Sequence, residues 1–294
     1  MALKLTQKDI TDLLKTNPLK NVDEKIKQKN LEIIQNKLFK YNECKSVLGI
    51  DIYRYSQYSR LPQMFIPSLF KRLYDSSIEH CLKLEPTIFK GFTKNSFTDY
   101  FIDTGDGGFQ IFDNPFQAII FLIYFQSNVS RYNSMHDDTL NEFIMIDEIT
   151  LRYSLTHDDI YSFENNHYGP AIINCARIMA KDKLNRFLID ENTQKWFTKE
   201  INGIENLQFI DLPEDSSLSI FNKSKPDEID SVVYEEEGCK IKHVDLMKIG
   251  EIKSKLDTLS IYNLRILILM ISPSSKFEKH AITIGNSNSS GLSD

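Results

Sequence analysis

From about Lys45 onward, short apolar runs alternate with longer stretches at helical spacing, the pattern of a sheet covered by helices. Ser46-Val-Leu-Gly-Ile-Asp-Ile-Tyr53 reads as a strand that ends at a polar, aromatic-rich loop, Arg54 to Arg60. A helix is expected from about Pro62 to Leu82, with Met64, Phe65, Leu69, Leu73 and Ile78 on its apolar face. A hairpin follows: Pro86 to Phe92, then Asp99 to Ile102, a turn at Thr104 to Gly108, and Phe109 to Phe112. Asp-Gly is a strong turn signal there. Asn114-Pro115 opens an apolar helix reaching about Tyr132, with proline in its first turn. The pattern then predicts a strand from Ile144 to Leu155, a helix from Pro170 to about Lys183, and a strand over Arg186 to Ile189. A short helix through Trp196 and a strand from Gly203 to Leu212 complete the unit.

The flanks read differently. Residues 1–45 are rich in Lys, Gln, Asn and Glu, with Val22, Ile26, Ile33, Ile34 and Leu38 at roughly helical spacing, so one or two amphipathic helices are expected. Residues 213–284 are expected to form a C-terminal extension. In it, a polar loop (213–231) precedes a hairpin, Val232 to Val244, turning at Glu237-Gly238, and a strand from Ile261 to Ile271. The Ser- and Asn-rich stretch 285–294 is expected to be a disordered tail. The fold class is therefore α/β (α+β), with a central domain over 46–212.

Composition narrows the partners. The 294 residues carry 35 Lys+Arg against 41 Asp+Glu, a formal charge of −6, so no global positive field exists to hold nucleic acid by its phosphates. With 41% hydrophobic and 26% charged residues the chain lies in the folded regime. The longest apolar run, Ala118 to Phe125, is far short of the roughly 18 residues a membrane span needs. The first residues lack the layout of a signal peptide, and Cys44, Cys81, Cys175 and Cys239 form no Cys-x-x-Cys pair, so a cytoplasmic protein with reduced thiols is expected.

The candidate chemistry centres on two acids. Asp51 ends the first strand and Asp106 sits in the Gly-Asp-Gly-Gly turn of the hairpin, so adjacent strand ends can bring both carboxylates to one point. Paired carboxylates at an open cleft suit Mg²⁺ or Mn²⁺, hard cations that take oxygen ligands and share them with phosphates. The triplets His157-Asp158-Asp159 and His136-Asp137-Asp138 read as solvated loop residues, His243 as structural and Glu235 to Glu237 as a solvated turn.

Three motifs in order, Val47 to Ser56, Ile102 to Phe112, and Tyr168-Gly169 followed by Asn174-Cys-Ala-Arg177-Ile-Met, resemble the class III nucleotidyl cyclases. The resemblance covers residues 45–212 or so. It implies a ferredoxin-like catalytic domain, a homodimer with composite sites at its interface, and two Mn²⁺ or Mg²⁺ ions held by Asp51, the Ile52 carbonyl and Asp106. It also implies that Arg177 reaches across the interface to stabilise charge in the transition state. The loop Tyr53-Arg54-Tyr55-Ser56 would bind the triphosphate of a nucleoside triphosphate substrate, and Tyr58 is a further candidate contact.

The departures from the family pattern concern the base. Four residues before the second metal aspartate, where adenylyl cyclases carry Lys and guanylyl cyclases Glu, this chain has Ile102. Three residues before Gly169, where the family has Asp or Cys, it has Asn166. The family's transition-state Asn falls on Ile173, with Asn174 one step further on. Loss of the purine-reading pair resembles the pyrimidine cyclases of the bacterial antiphage systems known as Pycsar, whose cyclic UMP or cyclic CMP acts on a separate effector. The expectation is a cyclase acting on a pyrimidine triphosphate, UTP favoured and CTP possible. The alternatives are an adenylyl or guanylyl cyclase with altered base contacts, and a non-catalytic nucleotide-binding dimer.

Overall fold

The computed structural model describes residues 4–134, 148–200, 238–253, 258–271 and 279–292. The expected strand over 203–212, the loop over 213–231, His136-Asp137-Asp138, Glu235 to Glu237 and the side chain of His243 lie outside what is described.

Strand β2 (Glu43–Ile52) is the centre of the sheet. It pairs antiparallel with β4 (Gly107–Phe112) on one side and β5 (Leu151–Phe163) on the other, and β3 (Phe101–Asp103) flanks β4. Helix α3 (Arg60–Leu84) joins β2 to the β3–β4 hairpin, and α5 (Pro115–Ser134) leads from that hairpin toward β5. The order β5-β2-β4-β3 with its two crossover helices is the ferredoxin-like arrangement expected from the sequence. Leu48, Ile50 and Ile52 of β2 pack into the main core with α3 and α5, while Val47 packs into a second cluster under α6 (Pro170–Lys181). Burial on both faces explains why β2 reads as a continuous apolar run rather than an alternating one. Ala118 to Ile123 of α5 are all essentially inaccessible, between α3 and the sheet.

Glycine 49 decides how closely α6 lies on the sheet. A Cβ there would stand 2.6 Å from Ser154 Oγ and 3.0 Å from Cys175 Sγ, so only a bare α-carbon admits the helix at this spacing. From α6 the chain enters β7 (Phe187–Asp190), parallel to β5, and then α7 (Glu191–Glu200).

Several expectations change. The buried stripe of α3 is Ile66, Phe70, Tyr74, Ile78 and Cys81, whereas Met64 is 69% exposed and Phe65 lies on the outer side. The helix carries two apolar stripes, and the sheet selects the one with the larger aromatic content. Pro86 to Phe92 is a run of turns rather than a strand, followed by α4 (Lys94–Asp99) with a capping box at Thr93. Its aromatics turn inward, where Phe89, Phe92 and Phe97 pack on Phe112. His157-Asp158-Asp159 lies within β5, where His157 Nδ1 meets Ser46 Oγ at 2.9 Å.

The C-terminal part is also joined more closely than expected. Strand β8 (Gly238–Lys253) begins at Gly238, so the turn expected at Glu237-Gly238 lies at the edge of the described residues, and β8 pairs with β9 (Thr258–Ile271). Strand β9 pairs with β7 at Ile261 to Asn263 and then with β10 (Lys279–Ile284). Leu264, Ile266, Ile268, Ile282 and Ile284 belong to the main core, so the extension continues the same sheet. The expected disordered tail is bonded in place: the Asn263 amide donates to the carbonyls of Asn286 and Asn288, and Leu292 packs against the cluster of Ile178, Leu188, Ile252 and Ile261.

At the other terminus, β1 (Lys4–Leu5) pairs with the far end of β5 and leads into α1 (Gln7–Thr16) and α2 (Glu24–Phe39), where one or two helices were expected. Thr6 and Asp9 form a capping box on α1, and Asp23 caps α2. No helix among the described residues is long and apolar enough to cross a membrane.

Candidate active site

Pairing of β2 with β4 puts Asp51 opposite Gly107, and the Ile52 N–H donates to the Asp106 carbonyl at 3.1 Å. The two acids thus stand on neighbouring strand ends, as their positions in the sequence suggested. The approach depends on Gly107: a Cβ there would meet the Ile50 carbonyl oxygen at 2.0 Å. A cavity of about 410 Å³ opens over this point, lined by Asp51, Ile52, Asp106, the loop Tyr53 to Gln57, Arg152 and Lys183.

The loop after β2 is braced by its tyrosines. Their hydroxyls donate to backbone carbonyls: Tyr53 to Lys183 (3.1 Å), Tyr55 to Gln63 (2.8 Å) and Tyr58 to Glu148 (3.1 Å). Arg54 holds φ 60°, ψ 30°, a left-handed conformation that non-glycine residues adopt at a cost, and its guanidinium lies 4.9 Å from the Tyr53 ring centre.

Arg152 is the residue that sequence reasoning missed. It is opposite Asp51 in the β2–β5 register, and its Nε donates to Asp51 Oδ2 at 2.5 Å. Its Nη1 donates to the carbonyls of Met179 (3.1 Å) and Asp182 (2.5 Å), which end α6. The signal was present in Leu151-Arg-Tyr-Ser-Leu155, where a cation stands among uncharged residues at the start of a strand. Lys183, in a polar stretch after a helix, gave none.

Burial pushes the Asp51 carboxyl above its ordinary range; the Arg152 cation opposes that rise and the nearby Asp106 charge adds to it. An Asp51 carboxylate that feels the neighbouring Asp106 charge also favours a cation placed between the two. The donors at this point are carboxylate and carbonyl oxygens, which fit Mg²⁺ or Mn²⁺ and not the softer metals that choose thiolate or imidazole. No cluster of three or more His, Cys, Asp or Glu suited to a metal occurs among the described residues; the acids lining this cavity are Asp51 and Asp106.

The other candidates are not in this cavity. Ile102 packs with Tyr100 and Phe109 against the cluster under α6. Asn174 and Arg177 lie one helical turn apart on α6, with Arg177 exposed and its Nη1 3.5 Å from Asn174 Oδ1; Ile173 beside them is 49% exposed. Asn166 is exposed on β6 (Asn166–Tyr168), paired with Phe163 at the far end of β5. Phe163 is eleven residues beyond Arg152, about 36 Å along an extended strand. His167, beside Asn166, is fixed by Ser162 Oγ and the Asp99 carbonyl and stacks on Tyr100.

No family profile and no curated protein matches the sequence. Among solved structures the chain is similar to the catalytic core of a rhodopsin-guanylyl cyclase with converted specificity in complex with ATPalphaS, at 13% identity over 76% of this chain and 94% of that one, TM-score 0.44. It is similar to the guanylate cyclase domain of RhGC from Catenaria anguillulae in complex with GTP, at 13% identity over 76% and 96% of the two chains, TM-score 0.43. It is also similar to the adenylyl cyclase CyaB from P. aeruginosa, at 10% identity over 76% and 94%, TM-score 0.42. Overlaps of this size carry no activity across to this chain, whose chemistry rests on its own residues.

Proposed function

We propose that the protein is a class III nucleotidyl cyclase that acts as a homodimer on a pyrimidine nucleoside triphosphate, UTP favoured and CTP possible. The observation that carries this reading is the meeting of Asp51 and Asp106 at the mouth of a cavity rimmed by Arg54, Arg152 and Lys183. Two carboxylates facing three cations match a ligand that is itself a polyanion with divalent cations.

The ribose 3′-hydroxyl attacks the α-phosphorus, the bond from that phosphorus to the bridging oxygen breaks, pyrophosphate leaves, and the hydroxyl proton passes to water. Asp51, Asp106 and the Ile52 carbonyl would hold two divalent cations, which when bound lower the pKa of the hydroxyl and bind developing phosphate charge. Arg54 and Lys183 bind the outer phosphates, with Ser56 and the loop N–H groups around them. Arg177, forked and permanently charged, stabilises the pentavalent phosphorus from the second copy, with Asn174 beside it.

The composite arrangement is supported by the distance between the ends of β5, since Asn166 and Asp51 of one chain cannot touch one nucleotide. Ile102 offers a base edge no hydrogen bond, while the Asn166 amide offers both donor and acceptor to O4/N3 of uracil or N4/N3 of cytosine. The cyclic product would signal to a separate effector in antiphage defence.

Incubation of the protein with Mn²⁺ and each of ATP, GTP, CTP and UTP, with products identified by mass, tests the reading. Cyclic UMP or cyclic CMP as the main product is expected. A preference for ATP or GTP leaves a purine cyclase, and turnover of none leaves a nucleotide-binding dimer. Asn166→Ala should reduce turnover of the preferred pyrimidine triphosphate far more than triphosphate binding.

A further inference from the structure

Resting on the reading of Asp51 as a metal-binding carboxylate, we propose that the C-terminal segment Asn286 to Ser290 is a working part of the active site, positioning Asp51 through Arg186, Asp182 and Arg152. The connection is continuous. Arg152 Nε holds Asp51 Oδ2, and Arg152 Nη1 is in turn held by the Asp182 carbonyl. The Asp182 carboxylate accepts from Arg186 Nε (3.0 Å) and Nη2 (2.7 Å), both side chains being almost wholly buried. Arg186 Nη1 then donates to the carbonyls of Ser290 (2.5 Å) and Asn288 (3.3 Å) in the C-terminal segment. The Arg186 carbonyl also accepts from the Tyr153 N–H at 2.9 Å, fixing the strand next to Arg152.

The segment is shaped for this task by its own side chains. Asn286 Oδ1 accepts from the Asn288 N–H, and Asn288 Oδ1 accepts from the N–H and hydroxyl of Ser290, so each residue bends the backbone two positions on. This ladder directs the carbonyls of residues 286, 288 and 290 inward to Asn263 and Arg186. Asn286 Nδ2 anchors it to the Asn185 carbonyl at 2.9 Å. A buried ion pair is weak as a source of stability, because desolvation offsets its attraction. Here Arg186 distributes all three nitrogens between Asp182 and the segment, which makes it a fixed joint between the C-terminus and the turn that holds Arg152. Without the segment, Nη1 loses both carbonyls, and the turn from Met179 to Leu184 loses its brace.

Two variants of the full chain test this: a truncation after Gly285, and Asn288→Ala, which removes only an exposed side chain. Binding of Mn²⁺ to the nucleotide-free protein is followed by the electron paramagnetic resonance of free Mn²⁺, beside thermal unfolding and kcat. The truncated protein, folded at the assay temperature, should bind Mn²⁺ about tenfold more weakly, as loss of an outer partner of a ligand does, with a parallel loss of kcat. A synthetic peptide spanning 284–294 should restore both, and Asn288→Ala should move both in the same direction by a smaller factor. A purely structural tail would lower the unfolding temperature and leave Mn²⁺ affinity unchanged; that result overturns the proposal. Where the truncation does not fold, Asn288→Ala decides, and wild-type affinity in that variant overturns it. Wild-type protein that binds no Mn²⁺ removes the metal-site reading and this inference together, whereas tight binding that ignores both variants removes this inference alone.

Discussion

The two ends of β5 are built from different materials. At its start, Arg152 is tied to Asp51, to the end of α6 and, through Asp182 and Arg186, to the C-terminal segment. At its far end, Phe163 is flanked by β1 and β6 and covered by α1 and α2, of which α1 buries no residue and α2 buries only Ile34. A cavity of about 430 Å³ remains there, lined by Leu5, Ile10, Leu38, Tyr41 and the stacked pair Tyr161 and Tyr168. Hydrogen bonds to buried charged side chains fix directions at the first end, while at the second short strand ladders and the bonds of His167 to neutral partners surround an apolar cavity. The first end can therefore hold a charged centre before any ligand arrives, and the second can shift without disturbing it.

The largest expected effect falls at the charged end. Asp106→Ala should abolish cyclisation while the far-ultraviolet circular dichroism stays that of the wild type, because a turn residue carries little core packing. Activity near wild type would remove the metal site. Mixing Asp106→Ala with Arg177→Ala should then restore part of the activity, since one site of the heterodimer holds every group; proven heterodimers with no activity would contradict the composite site.

A pair of core changes sharpens the contrast next. Phe187, buried and set edge-on to Tyr153 near the charged end, should cost about 3–5 kcal/mol as Phe187→Ala and weaken Mn²⁺ binding as well. Leu5→Ala at the far end should cost about 2 kcal/mol in urea unfolding and leave Mn²⁺ binding alone. Equal effects on the metal would erase the distinction between the two ends.

A further effect, read only as a pH dependence, lies between them at Asp190. Its Oδ1 caps α7 by accepting from Thr193 N–H at 2.9 Å, its Oδ2 is buried with no partner among the described residues, and burial raises its pKa to about 7. An acid with a raised pKa holds its proton in the folded state after the unfolded chain has released it. Its contribution to stability is complete below the unfolded value of 3.8 and is lost as pH climbs to about 7. Between those limits the wild type should lose up to about 1.4 kcal/mol per pH unit relative to Asp190→Asn, and unfolding midpoints at pH 5 and pH 8 measure it. Parallel pH profiles would show that Asp190 ionises normally.

Legibility followed the same division. The acids at the strand end and in the glycine turn were readable because local pattern positions them: an apolar run that stops, and Asp flanked by Gly. Arg152 was not, because its role comes from the register of β2 on β5, more than a hundred residues apart in sequence. The C-terminal segment was read as disorder from its Asn, Ser and Gly content. The same residues build turns when each amide bonds two positions ahead, and composition does not distinguish the cases. Pro86 to Phe92 failed for a related reason, since its aromatics pack from turns as well as they would from a strand. On α3, Ile78, Leu69 and Leu73 face or flank the core as expected, whereas Met64 and Phe65 do not, because two apolar stripes compete on one helix and only the sheet decides between them.

The length of β5 bears on how output depends on dose. Under the proposed composite site, whose halves lie at opposite ends of one strand, the working species would be the paired molecule, and its abundance below the dissociation constant rises with the square of the amount of chain. Halving the protein in that regime cuts the product about fourfold, so synthesis is suppressed when copies are scarce and climbs steeply once they accumulate. A cyclic nucleotide made under that proposal would stay silent against leaky expression by mass action alone.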